Sequence, residues 1–150
     1  MRVPTLLPTL AALTTLALAV DQVIIKNHLP ISVWYTTVDQ TGYRSETYYI
    51  DAKGQVSLDQ SDRPGVAVKI TPDRLDIDTP GKGILNLAYN KQPDGWIYYT
   101  MGAHNYFPFA GAKTKLGGPG GDDDWYDGQV HDPHTIGYQG HGDLYLDIGY

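Results

Sequence analysis

Hydrophobic and polar residues alternate most clearly between Gly83 and Met101, and this pattern predicts a β-hairpin. The apolar positions are Leu85, Leu87 and Tyr89, followed by Ile97, Tyr99 and Met101. A period of two is typical of strands with one buried face. Between the two runs, Pro93-Asp94-Gly95 supplies residues that favour a turn. Because an isolated hairpin is marginal in water, we expect further strands to cover its apolar face.

Shorter segments of the same character predict those further strands. They span residues 23–27, 31–37, 45–50, 55–58, 66–70, 127–131 and 144–148. Segments rich in Gly, Pro and Asp predict loops at 71–82, 113–124 and 133–142. The predicted core comprises Ile31, Val33, Val66, Val68, Ile70, Leu85, Leu87, Ile97, Leu144, Leu146 and Ile148. Short strands separated by frequent turns predict one all-β domain at residues 21–150, as a sandwich or a barrel.

Residues 1–20 have the order of a secretory signal peptide. Arg2 precedes an apolar run, and Ala17-Leu18-Ala19 matches a small-x-small cleavage site. The run is short for a membrane span. We therefore expect a protein that is secreted to the extracellular space and has no membrane span.

Charge and composition narrow the function classes. The chain has 11 Lys and Arg against 17 Asp and Glu, and loss of Arg2 would lower the net charge from −6 to −7. Nucleic acids and anionic membranes need a basic patch, so neither is an expected partner. The lack of cysteine excludes thiol nucleophiles and Cys-zinc sites. Neither a phosphate loop nor a nucleophile elbow occurs, and no cofactor is expected.

A series of motifs runs through nearly the whole predicted mature chain. They are VIIKNHLPISVW at 23–34, GVAVKI at 65–70, LNLAY at 85–89, WIYY at 96–99, PFAG at 108–111, WYDG at 125–128 and GDLYL at 142–146. In this order they resemble the small fungal thaumatin-like proteins, the group that includes yeast-phase-specific antigens and conidial thaumatin-like proteins. This chain departs from that group in having no cysteine in its Asn27-His28-Leu29-Pro30 stretch or near its C-terminus.

The resemblance implies a thaumatin-like β-sandwich that is secreted and acts at the fungal cell wall or at a host interface. Members of the wider family bind or cleave β-1,3-glucans, and some small fungal members act as effectors or elicitors. Properties that depend on disulfide-braced loops are not carried over, because this chain cannot form disulfides.

The densest charge lies between Gly121 and Gly128, at Asp122, Asp123, Asp124 and Asp127, and Trp125 lies within this stretch as a further candidate contact. A pair of carboxylates could act as acid and base on a glycosidic bond. The same oxygens could hold Ca²⁺, although their spacing is not that of an EF-hand. A third interpretation is a solvated acidic loop anchored by its tryptophan.

Histidines follow the acidic stretch in the segment His131-Asp132-Pro133-His134. Imidazole and carboxylate groups are ligands for zinc or copper. The spacing is not a standard ligand motif, however, and Pro133 keeps the local backbone extended. We therefore predict no metal site and keep His131, Asp132 and His134 as weak candidates.

Aromatic residues are unusually rich in tyrosine, with 12 Tyr and 3 Trp against 2 Phe. Several lie on strand positions opposite the apolar face: Trp34, Tyr48, Trp96, Tyr98 and Tyr145. They could fill cross-strand pairs, or form an exposed platform that stacks on sugar rings or on a protein partner.

The leading hypothesis is a secreted, non-enzymatic fungal protein that acts as an effector or elicitor by recognising a host surface protein. Two alternatives remain. One is a module that binds cell-wall β-1,3-glucan through the aromatic face. The other is a small β-1,3-glucanase that uses acidic residues of the 122–127 loop.

Overall fold

The computed structural model describes residues 20–150, and nearly all of their regular structure is β-strand. The strands are β1 (Gln22–Asn27), β2 (Val33–Val38), β3 (Tyr48–Ile50), β4 (Gln55–Asp59), β5 (Val66–Thr71), β6 (Ile84–Lys91), β7 (Trp96–His104), β8 (Thr114–Gly118), β9 (Gly121–Trp125), β10 (Ile136–Gln139) and β11 (Leu144–Ile148). A 3-10 turn lies at Asp76–Asp78. The predicted leader lies outside the described residues, apart from Val20. Within the described range, no helix is long and apolar enough to cross a membrane.

The strands form two sheets that share one core. The five-stranded sheet has the order β4-β1-β11-β8-β9, and the six-stranded sheet has the order β10-β7-β6-β5-β2-β3. The first and last strands pair in parallel, and the other neighbours pair antiparallel. Buried side chains of both sheets meet in a single cluster. The predicted all-β, single-domain architecture is confirmed.

The β6–β7 hairpin is confirmed and is longer than predicted, because β7 continues to His104. Its turn is closed by the Gln92 N–H, which donates to the Trp96 carbonyl at 2.7 Å, and Gly95 has a positive φ of 84°. Ten of the eleven predicted core residues are no more than 2% exposed. These residues could be predicted because apolar and polar side chains alternate along strands that are buried on one face.

Ile31 is the predicted core residue that lies outside the core, with 49% exposure. The strand begins at Val33 instead of Ile31. The cause is Asn27, which is 1% exposed and donates from Nδ2 to the carbonyls of Ile31 at 2.8 Å and Asp51 at 2.9 Å. Because Asn27 Oδ1 also accepts the Leu29 N–H at 3.1 Å, hydrogen bonds fix this turn without a disulfide.

Three predictions for the C-terminal third are wrong. The predicted loop at 113–124 is the β8–β9 hairpin, and the predicted strand at 127–131 is a turn and loop. Strand β10 lies inside the predicted loop at 133–142. The reason is tertiary pairing, since β8 pairs with β11 and β10 pairs with β7. Neighbouring strands therefore stabilise segments of low intrinsic strand propensity.

Candidate functional site

The predicted acidic loop is strand β9, at the edge of the five-stranded sheet. Successive side chains of a strand point to opposite faces, so Asp122 and Asp124 face outward and Asp123 faces inward. Asp122 Oδ2 lies 2.6 Å from Nζ of Lys115. Asp124 accepts a hydrogen bond from the hydroxyl of Tyr150. The three adjacent carboxylates therefore do not form one site.

Trp125, a predicted ligand contact, is fully buried. Its ring packs edge-to-face against Phe107, with centroids 5.2 Å apart and planes at 89°. Phe107 and Phe109 are both buried, and their rings also pack edge-to-face. Trp125 therefore anchors the end of β9 in the core and offers no surface to a partner.

Asp123 is the buried carboxyl of this region, with 3% exposure. Its Oδ1 lies 3.8 Å from Nδ1 of His134, and its Oδ2 has no hydrogen-bond partner among the described residues. Burial raises the pKa of the Asp123 carboxyl above its usual range, and the positive charges of protonated His134 and His131 oppose that rise. The fold thus brings together an acidic residue and two histidines that the sequence placed in separate candidate sites.

Asp127 also belongs to this cluster. His131 Nε2 lies 2.9 Å from Asp127 Oδ1, and that hydrogen bond lowers the pKa of the Asp127 carboxyl. Asp132 is exposed on the same loop. Within residues 20–150, no group of three or more His, Asp or Glu side chains is placed to hold a metal ion.

Aromatic side chains lie on the outer face of the six-stranded sheet, which we call the aromatic face. Trp96 and Tyr98 stack side by side, with centroids 5.8 Å apart and planes at 12°. Near the opposite edge of the same face, Trp34 packs against Tyr49, with ring centroids 5.4 Å apart and planes at 55°. Tyr98 and Tyr49 are 40% and 58% exposed. Three of the predicted platform residues, Trp34, Trp96 and Tyr98, therefore share one surface.

Two other residues expected on this platform lie elsewhere, and one member was missed. Tyr48 pairs with inward-facing Tyr35 and packs on its ring, whereas Tyr49 pairs with Trp34. Tyr145 lies on β11, in the other sheet. Strand β3 is only three residues long, so its sequence alone gives no alternation that could assign a face.

Part of the aromatic face between the two aromatic pairs is lined by small side chains. Ala67, Ala88 and Thr100 lie in register across β5, β6 and β7. A depression of about 280 Å³ lies beside them, and Asn90 and Tyr98 also line it. Small residues flanked by exposed rings make a shallow surface with aromatic projections, which suits recognition of another surface.

The fold and the site define a β-sandwich domain with an aromatic outer face. The chain belongs to the family described as Bys1, the Blastomyces yeast-phase-specific protein, whose family model matches residues 10–146. This finding agrees with the yeast-phase-specific part of the resemblance, and the thaumatin-like assignment stays a prediction.

Among solved structures, the protein elicitor MoHrip2 from Magnaporthe oryzae has a similar fold. The TM-score is 0.73 and the sequence identity is 15%, over 87% of this chain and 99% of that chain. At this identity, the likeness shows the fold alone. A search of the curated proteins finds no significant match.

Proposed function

We propose that this protein is a secreted fungal recognition protein of the elicitor type, which binds a host surface protein through its aromatic face. The observation that carries the proposal is the nearly parallel pair of Trp96 and Tyr98, in which Trp96 is partly exposed and Tyr98 is 40% exposed. Exposed tryptophan and tyrosine rings supply most of the binding energy in many protein interfaces. The shared fold with a protein described as an elicitor supports the same role.

Polar groups around the rings suit a protein partner. Asn90 lies beside Tyr98 in the sheet, and Gln139 lies beside Trp96. Lys69 is partly exposed on the same face. An apolar centre with a polar rim is the usual anatomy of a protein interface.

Export is part of the proposal. It rests on the predicted signal peptide at residues 1–20 and places the protein outside the cell or at the cell wall. N-terminal sequencing of protein recovered from culture medium tests it. A secreted chain that begins near Val20 or Asp21 supports the proposal, and one that still begins at Met1 contradicts it.

The second candidate function is binding of cell-wall β-1,3-glucan through the same face. It is favoured by the angle of only 12° between the rings of Trp96 and Tyr98. Nearly parallel rings present faces of the same orientation, and such faces can pack against the flat surface of a sugar ring.

Cell binding and glucan binding separate the two functions. The full chain, expressed in a secreting host, is tested on cultured plant and mammalian cells before and after protease treatment, and on insoluble β-1,3-glucan. The variant Trp96→Ala/Tyr98→Ala removes the pair, and Tyr106→Ala, an exposed residue elsewhere, is the control. Protease-sensitive cell binding that only the double variant loses supports the proposal. Glucan binding without cell binding, lost only in the double variant, selects the second candidate, and binding to neither contradicts both.

A further inference from the structure

We propose that a cleft between the free edges of the two sheets is a binding site for a neutral saccharide. The cleft has a volume of about 500 Å³ and lies between β4 on one side and β2 and β3 on the other. This volume falls within the range of about 300–1,000 Å³ that is common for small-molecule sites. The inference goes beyond the proposed function, because the site lies away from the aromatic face.

The floor and one wall of the cleft are apolar and aromatic. Val23, Leu58 and Val68 reach it from the core. Tyr35 and Tyr48 form the wall, with ring centroids 5.7 Å apart and planes at 35°. The C–H face of a pyranose ring packs well against such aromatic side chains, since both surfaces are flat and apolar.

Hydrogen-bonding groups surround this apolar floor. The backbone N–H of Gln60 donates to the Asp21 carbonyl, and the backbone N–H of Asn27 donates to the Gly54 carbonyl, each at 2.8 Å. Because hydrogen-bonded positions recur at every second residue of an antiparallel pair, the backbone N–H and C=O groups of the even-numbered residues of β4 point towards β1. The backbone groups of Ser57 and Asp59 therefore point to the free edge, along which the cleft lies. This edge presents both N–H donors and C=O acceptors, and sugar hydroxyls can pair with either because they both donate and accept hydrogen bonds.

Side-chain hydroxyls add to these groups. Tyr35 lines the cleft, and its hydroxyl is a group that can donate and accept a hydrogen bond. A tyrosine hydroxyl is protonated at neutral pH, and burial raises the pKa of Tyr35 further, so this group can donate to a ligand. The Tyr89 hydroxyl already accepts the Ser61 N–H at 2.8 Å and still has its own proton to donate.

Charge at the rim favours a neutral ligand. The Arg63 guanidinium lies 3.8 Å from the ring centroid of Tyr43 and 3.4 Å from Asp39 Oδ2, so its charge is already paired. Asp59 adds a carboxylate that accepts hydroxyl protons and repels anions. A lipid chain would leave the hydroxyl and backbone groups without partners, which costs binding free energy. A saccharide satisfies both the apolar floor and the polar rim.

Adjacent tyrosines of β3 give a matched test. Tyr48 lines the cleft, and Tyr49 lies on the aromatic face. Isothermal titration calorimetry of the full chain with laminarihexaose, cellohexaose and chitohexaose measures binding. For the hexasaccharide that binds, Tyr48→Ala should weaken affinity about tenfold, the equivalent of about 1.4 kcal/mol, and Tyr49→Ala should leave it unchanged.

A second variant covers the case in which Tyr48→Ala fails to fold. Tyr35→Phe removes one hydroxyl and keeps the ring, and it should weaken binding about threefold to tenfold. Cell binding is measured on the same proteins. Loss of cell binding would count against the proposed function, and absence of sugar binding would count against this inference, so the two failures can be distinguished. The inference is overturned if none of the three sugars binds at millimolar concentration, or if Tyr49→Ala rather than the cleft variants abolishes binding.

Discussion

The ring of Tyr98 lies directly against Gly137 of the neighbouring strand. The two residues pair across β7 and β10, and a Cβ placed on Gly137 would lie 2.8 Å from Cε1 of Tyr98 and 3.6 Å from Cε3 of Trp96. No other amino acid lets the ring approach the backbone so closely. The missing side chain therefore sets the position of the exposed aromatic pair.

Gly137→Ala should displace Tyr98 and weaken cell-surface binding at least about tenfold, because an interface aromatic of this kind contributes about 2 kcal/mol. The melting temperature should change little, since the displaced ring is 40% exposed and can turn into solvent. Gly102→Ala is the matched control, because a Cβ at Gly102 meets nothing within 4 Å. Equal loss of binding in both variants would show that the ring position is not what the partner recognises.

Leu87→Ala should lower the free energy of unfolding by about 2–4 kcal/mol, because it removes a fully buried side chain from the centre of the core. Denaturant unfolding measures the change. Val130→Ala, at a position that is 45% exposed, should stay within about 0.5 kcal/mol of the wild type. If Leu87→Ala were as stable as the wild type, the register of β6 assigned here would be wrong.

Leu87 also illustrates what the sequence could predict. It lies in an alternating run with a turn at one end, and both signals are local, so the strand, its buried face and its partner strand were all predictable. Ile31 shows the limit, since its exposure depends on the side chain of Asn27 bonding its carbonyl. No periodicity in the sequence encodes that contact.

The β8–β9 hairpin was missed for a different reason. Its two strands are joined at Gly118-Pro119-Gly120-Gly121 and carry three consecutive aspartates, a composition typical of loops. A weak signal could have identified it, namely a buried residue at every second position of each strand. These residues are Thr114 and Leu116 on β8, and Asp123 and Trp125 on β9. The candidate site was predicted only in part, because the residues near Asp123 come together through this unpredicted hairpin.

Asp123→Asn should stabilise the protein at neutral pH. The carboxyl is buried, and burial raises its pKa in the folded state above the ordinary value of about 3.9. The folded state then binds the proton more tightly than the unfolded state, so wild-type stability falls as pH rises through this interval. The asparagine side chain has no ionisable group, so the variant should not lose stability in this way as the pH rises.

The stability difference should therefore depend on pH. Thermal unfolding of both proteins at a series of pH values should show the advantage of Asp123→Asn at about pH 7, shrinking as the pH falls towards about 4. Asp132→Asn, at an exposed position on the same loop, is the control and should show no such trend. An advantage independent of pH would mean that packing, and not the charge of Asp123, is responsible.

We expect no cleavage of glycosidic bonds by this protein. The sequence suggested that Asp122, Asp123 and Asp124 sit in a flexible, wet loop, but they lie on strand β9. Glycoside hydrolysis needs two carboxyl groups about 5–10 Å apart that both reach the scissile bond, one of them protonated. Burial raises the pKa of Asp123, but this residue faces the opposite side of the sheet from Asp122 and Asp124.

Asp127 gives the strongest case for an enzyme, because its pKa is lowered while that of Asp123 is raised. Opposed shifts are typical of an acid and base pair. Asp123 is only 3% exposed, however, so a glycosidic oxygen cannot contact it. We therefore expect no reducing-sugar release from laminarin by the wild type. As a reference, all four aspartates, Asp122, Asp123, Asp124 and Asp127, are replaced by asparagine. Release by the wild type that this variant loses would establish a glucanase and overturn the binding hypothesis.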